Sequence, residues 1–192
     1  QIGLQLVYLL PLAFILIQPA QGIDLGRYAD TAFAPALTIL SSTLAGSLIW
    51  ITVSAEDAPD LIAAAPVSRR LVDRAKLVAA VGPVLALMAI PVALLLLRSP
   101  VAGAWAAVGC VAAGTSAGLI GVWRKNPGSR KAFMGHRRQP SLAAGLGQMV
   151  VSMGWASAAG LGAYGLPWLA IIPAILAASV LAALQRPPPA LP

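Results

Sequence analysis

Few side chains in this 192-residue sequence could do chemistry, and their placement excludes most kinds of it. There are six Asp and Glu, thirteen Lys and Arg, one His and one Cys. Cys110 lies inside an apolar run, with no second Cys for a disulfide and no Cys or His at metal-ligand spacing. A small buried apolar role fits it best. His136 sits in the basic stretch "RKNPGSRKAFMGHRRQP" with no carboxylate or second His nearby, so it reads as a solvated loop residue. No Walker A sequence occurs, and neither does an Asp pair, a Ser/His pair or a zinc motif for intramembrane proteolysis. We therefore expect no catalytic residue, and no cofactor or metal bound by this chain.

Two groups of polar residues remain. The first is made of hydroxyls and one amide inside apolar runs: Ser41, Ser42, Thr43 and Ser47, then Thr115 and Ser116, then Gln148 and Ser152. Of these, Ser41, Ser42, Ser47, Thr115 and Gln148 are candidates to line a substrate path. The competing role is helix packing, because hydroxyls bond across helix interfaces and small residues let helices approach closely. Gly109, Gly121, Gly145, Gly154 and Gly160 accompany them, and Gly114 and Gly118 form a GxxxG. That company favours packing. The second group is the connector "EDAPDLIAAAPVSRRLVDRAK", Glu56 to Lys76, which holds four of the six acids and four of the thirteen bases.

The elements that must position these groups follow from composition. The chain is 59% hydrophobic and 10% charged, with a mean hydropathy of +0.84. A soluble domain carries about 25% charged residues. So little charge cannot cover a water-facing surface, and the expected class is an all-α polytopic membrane bundle forming one transmembrane domain over residues 1–192. Six apolar segments can be read: Ile2–Ile17, Phe33–Ser54, Leu77–Leu97, Val101–Trp123, Leu142–Ala163 and Trp168–Leu184. About 20 residues cross a hydrocarbon core. The middle four reach that length, whereas the first and last are short. No signal peptide is evident, and the short first segment at a Gln1 start leads us to expect a piece of a longer chain. Pro83, Pro91 and Pro173 fall inside segments, where neighbouring helices can satisfy the backbone groups they free.

Charge then sets the orientation. Connectors 55–76 and 124–141 hold ten of the thirteen Lys and Arg and lie on the same side of a six-span layout. By the positive-inside rule that side, with both termini, is cytoplasmic. The opposite connectors carry only Arg27 and Arg98. Trp50, Trp105, Trp123 and Trp168 fall near segment ends, as aromatic belts do. The net charge of +7 is thus explained by topology and by attraction to anionic lipid, and a nucleic-acid role is not expected.

Inside the connector, Ala58, Leu61, Ile62 and Ala65 recur at helical spacing and make one apolar face. Glu56, Asp57 and Asp60 fall in the first turn, where carboxylates suit the positive end of the helix dipole. Pro66 ends that helix, and Ser68 is placed to cap the next one, which enters the membrane after Lys76. A helix of two to three turns is marginal by itself, so its face must dock on something. Three acids suit an anionic leaflet poorly, which leaves a protein partner.

The order of acidic pair, short amphipathic helix, "APVSRR" and "AK" resembles the connector of ABC-2 type transporter permeases. There an acidic start, a Leu-containing helix, a "PVSR" and a "GK" open the third span. Glu56-Asp57 matches the acidic start, Leu61-Ile62 the helix, Pro66-Val67-Ser68-Arg69 the "PVSR" and Ala75-Lys76 the "GK". "APDL" replaces a common Gly-Thr turn, and Ala75 the Gly.

The resemblance implies a bacterial inner-membrane exporter subunit, the C-terminal half of a longer permease. Its connector would be a cytoplasmic coupling helix seated on a nucleotide-binding subunit that carries the ATP and Mg. Glu56, Asp57, Asp60, Leu61, Ile62, Pro66, Ser68, Arg69, Arg70 and Lys76 would form the coupling region. The partners implied are that ATPase, a second permease half or second copy, and lipid. The rival classes are a secondary transporter or channel, and a non-transporting membrane subunit that recruits an ATPase.

Overall fold

The computed structural model describes residues 25–54, 68–123 and 142–185. They form five helices: α1 (Leu25–Ser54), α2 (Arg69–Arg98), α3 (Pro100–Trp123), α4 (Leu142–Ala163) and α5 (Pro167–Gln185). No strand occurs among the described residues.

Four of the helices, all but α4, are long and apolar enough to cross a membrane. Of the six expected spans, five fall on helices among the described residues, and four of those helices meet this measure. Segment 2–17 and the coupling helix expected before Pro66 lie outside the described residues. Helix α4 has the length, but Gly, Ser and Gln dilute its apolar content. One boundary moves, since helix α1 starts at Leu25 rather than Phe33. Helix α2 starts at Arg69, directly after the cap expected at Ser68 and ahead of the apolar run from Leu77, so parts of both expected connectors are helical.

Helix α3 is central, packing on α1, α2 and α4 and touching α5 lightly. Its most apolar stretch is 56% buried, against 11% for α5. Small residues make that central position possible. A methyl group on Gly114 would lie 2.9 Å from Ser41 Oγ, and one on Gly118 would lie 2.6 Å from Leu77 and 2.8 Å from Val81. Both are too close for real side chains, so the GxxxG is where α1 and α2 pack against the α3 backbone. Around this seam Leu37, Leu44, Val84, Met88 and Leu95 are fully buried.

The helices alternate in direction. Gly118 near the end of α3 meets Leu77 and Val81 near the start of α2, Gly147 at the start of α4 meets Leu184 at the end of α5, and Gly160 meets Pro35 while Gln148 meets Gly46, so these neighbours run antiparallel. One end of the bundle therefore gathers two tight turns. The α2–α3 turn is a single residue, Ser99, whose N–H bonds to Leu95 O at 2.7 Å, and Pro100 takes the first position of α3. The α4–α5 turn runs from Tyr164 to Leu166. Gly165 has φ +92, a left-handed conformation that glycine adopts without strain. Its N–H bonds to Gly162 O at 3.1 Å, and that of Leu166 to Leu161 O at 2.9 Å. Together these form a Schellman stop. Pro167, with no N–H to leave unpaired, starts α5. The other end is where connectors 55–67 and 124–141 and the tail after Gln185 leave the bundle.

The outer surface is apolar, with Leu97 at 85% and Trp168 at 65% exposure. That is the surface a bilayer would cover. Trp50 and Trp168 are exposed near helix ends, but Trp105 packs over Gly162 and belongs to the interior instead.

Candidate functional site

Ser41 and Ser42 follow one another on α1 and therefore point to different neighbours. Ser41 Oγ donates to Cys110 O on α3 at 2.9 Å. Ser42 pairs with the Ser152 hydroxyl of α4 through a short hydrogen bond. A third link, Trp155 Nε1 to Ser116 Oγ at 3.1 Å, joins α4 to α3. These three bonds close a triangle among α1, α3 and α4 in the apolar interior. Ser41, Ser42, Ser116 and Ser152 are all buried. Each such bond contributes about 0.6 kcal/mol on average between membrane helices. Their effect is more on which faces meet than on total stability.

Other hydroxyls satisfy themselves locally. Thr38 Oγ1 donates to Ala34 O at 2.8 Å, and Ser47 Oγ to Thr43 O at 2.9 Å. Thr115 Oγ1 lies 2.6 Å from Val111 O and 3.1 Å from Ala112 O. Of the five candidate lining residues, Ser41 and Ser42 thus serve helix packing, and Ser47 and Thr115 bond to their own helices. Gln148 differs. It is half-buried on α4 with its amide over Gly46 of α1.

The second candidate region is the entry to α2. Ser68 is the N-cap residue, with φ −66 and ψ 135, and its hydroxyl accepts from Leu71 N–H at 3.4 Å. Its carbonyl accepts from Leu71 N–H at 2.9 Å and Val72 N–H at 3.3 Å. Arg69 and Arg70 open the helix and Asp73, Arg74 and Lys76 follow, so the first two turns carry mixed charge. Arg70 and Arg74 are exposed, whereas Asp73 and Lys76 are half-buried. Glu56, Asp57, Asp60, Leu61, Ile62 and Pro66 lie outside the described residues.

Sequence reasoning missed one feature altogether. Arg98, at the end of α2, places Nε 2.8 Å from Asp30 Oδ1 on α1. Asp30 and Arg98 are only 13% and 23% exposed in their side chains. The contact is an ion pair whose geometry is not aligned as a hydrogen bond, since Oδ1 is buried and accepts none. It clamps α1 to α2 at the tight-turn end. The cation also sits in the last turn of its helix, which the dipole favours. The only sequence signal was one acid and one base on connectors assigned to the same side.

Comparison with family models, with curated proteins and with solved structures finds no match for this chain.

Proposed function

We propose that this chain is the membrane-spanning permease subunit of an ATP-driven exporter of the ABC-2 type, worked by a separate nucleotide-binding subunit. The observation that carries the reading is the stretch from Glu56 to Lys76, whose second half runs into a helix capped at Ser68. The cap at Ser68 fixes where α2 begins, so a pull on the preceding segment acts on a defined, charged helix end. Displacement of the acidic segment 56–60 is then passed along α2 to the Asp30–Arg98 clamp. In this mechanism ATP binding closes the soluble subunits, their groove carries the connector with it, and α2 tilts against α3. The chain itself contributes a lever and a path and performs no bond chemistry.

Two further observations support an external energy source. The interior hydroxyls are taken up by helix–helix and backbone bonds. Among the described helices, Asp and Arg occur only toward helix ends, with no carboxylate at mid-depth where a driving proton is usually bound. Orientation follows the basic connectors, which puts the 55–76 side in the cytoplasm of a bacterial inner membrane.

Reconstitution tests the reading. Substrate movement in vesicles should require ATP and the partner ATPase, and should continue when proton and Na⁺ gradients are collapsed. Transport that follows an ion gradient without ATP would replace this reading with a secondary transporter.

A further inference from the structure

Between α3 and α5 the bundle leaves an apolar slot that opens on the surface a bilayer covers. Helix α4 is drawn tightly against both neighbours. A β-carbon on Gly109 of α3 would lie 3.0 Å from Ala159, and one on Gly154 would lie 2.8 Å from Ala177 of α5. Helix α3 touches α5 only lightly, so a space stays open between them over α4, with a cavity volume of about 210 Å³. Ala158 and Ala159 make its floor, and Ala170 and Ala174 line the α5 wall. Two indoles bound its length. Trp105, seated over Gly162, stands toward the tight-turn end, and Trp155 lies deeper along α4. From Gly162 to Trp155, as from Pro167 to Ala174, the helix rises about 10 Å. The slot is therefore long and runs with the helices.

Its walls suit an apolar occupant. Among the lining residues only the two indoles carry a polar side-chain atom, and Trp155 N–H is already given to Ser116 Oγ at 3.1 Å. An apolar cavity of about 150 Å³ stays dry and holds a benzene ring, and this one is larger. A polar ligand would be desolvated on these walls without partners. Left empty, the lining would forfeit its dispersion contacts. Val108 and Ile171 line the slot and are exposed, so its mouth faces outward. Tyr164 and Trp168 are exposed at the turn above it, where aromatic side chains mark headgroup depth. The slot thus descends from that level into the acyl region. Acyl chains surround the bundle there and run along the bilayer normal, from which membrane helices tilt by only about 20°.

We propose that this slot binds one acyl chain of a bilayer phospholipid, taken laterally between Val108 and Ile171 from the leaflet on the tight-turn side. The site needs only a membrane-spanning bundle and is independent of the exporter reading. Heavy-atom quenching of the two indoles tests it. The full chain carrying Trp50→Phe, Trp123→Phe and Trp168→Phe keeps only Trp105 and Trp155 as indoles. Reconstituted in vesicles of brominated dioleoylphosphatidylcholine, it should fluoresce far less than in the unbrominated lipid.

Filling the slot by Ala170→Leu or by Ala174→Leu should abolish most of that quenching. Ala178→Leu, at an exposed position of α5 outside the slot, should leave it intact. Thermal unfolding in detergent checks that the variants fold, and if one of the two slot variants does not, the other decides. Quenching that survives the filled slot would overturn the proposal, because the lipid contact would then be with the outer surface alone. So would an absence of quenching before any filling, as expected if residues 1–24 or a second copy of the chain covered the mouth. No nucleotide or ATPase enters the experiment, so neither result bears on the exporter reading.

Discussion

The two ends of the bundle are built differently. At one end α2 passes to α3 through Ser99 alone, α4 passes to α5 through Tyr164–Leu166, and Asp30 is clamped to Arg98. At the other, connectors 55–67 and 124–141 leave the helices and, with the first turns of α2, hold most of the Lys and Arg. Short turns, a Schellman stop and a partly buried ion pair leave the first end few alternative conformations. The second end carries charge in excess of anything the bundle needs for packing. A lever needs this contrast, with one end fixed and the other engaged by something outside.

The comparison is open to direct attack. Breaking the clamp should have the largest effect on stability. Arg98→Met leaves Asp30 partly buried without its cation, and we expect a loss of about 2–3 kcal/mol, below the full cost of orphaning a deeply buried charge. Thermal unfolding in detergent would show it, and the exchange Asp30→Arg with Arg98→Asp should recover part of the loss. A neutral Arg98→Met would mean that this end is not held by the pair. Next in size, Gly165→Ala forces a Cβ into φ +92 and should cost about 1 kcal/mol or more in the same assay.

At the opposite end the effects on stability should be smaller and those on coupling larger. Ser68→Ala removes the cap of α2 and should cost about 1 kcal/mol, while reducing ATP-dependent transport out of proportion to that loss. Least of all, Ser152→Ala should cost about 0.6 kcal/mol through its lost bond to Ser42 and leave transport intact. A transport defect there with normal stability would return Ser42 to the list of path-lining residues and add Ser152 to it.

Much of this architecture was legible in the sequence, for local reasons. The apolar runs locate all five described helices, and the Ser before Arg69-Arg70 marks where α2 begins. Legibility failed where distant residues decide. Arg27 and Asp30 look like loop residues, so α1 was expected to start at Phe33. Asp30 is tolerated in a helix because Arg98, far along the chain, neutralises it. Trp105 resembled a belt residue by its position in the run, yet Gly162 on another helix opens a place for it in the interior. Gln148 was visible as an oddity, but its seat over Gly46 depends on the register between α1 and α4, which no local pattern encodes. The coupling helix expected over Glu56 to Ala65 lies outside the described residues.

The central claim is that force enters the bundle through the segment that leads into Ser68. The full chain, affinity-purified from native membranes, should bring down an ATP-binding subunit, and Asp60→Arg with Leu61→Asp should abolish that association while thermal unfolding stays unchanged. Retention of the subunit by the double variant, or its absence from the unaltered chain, would contradict the account.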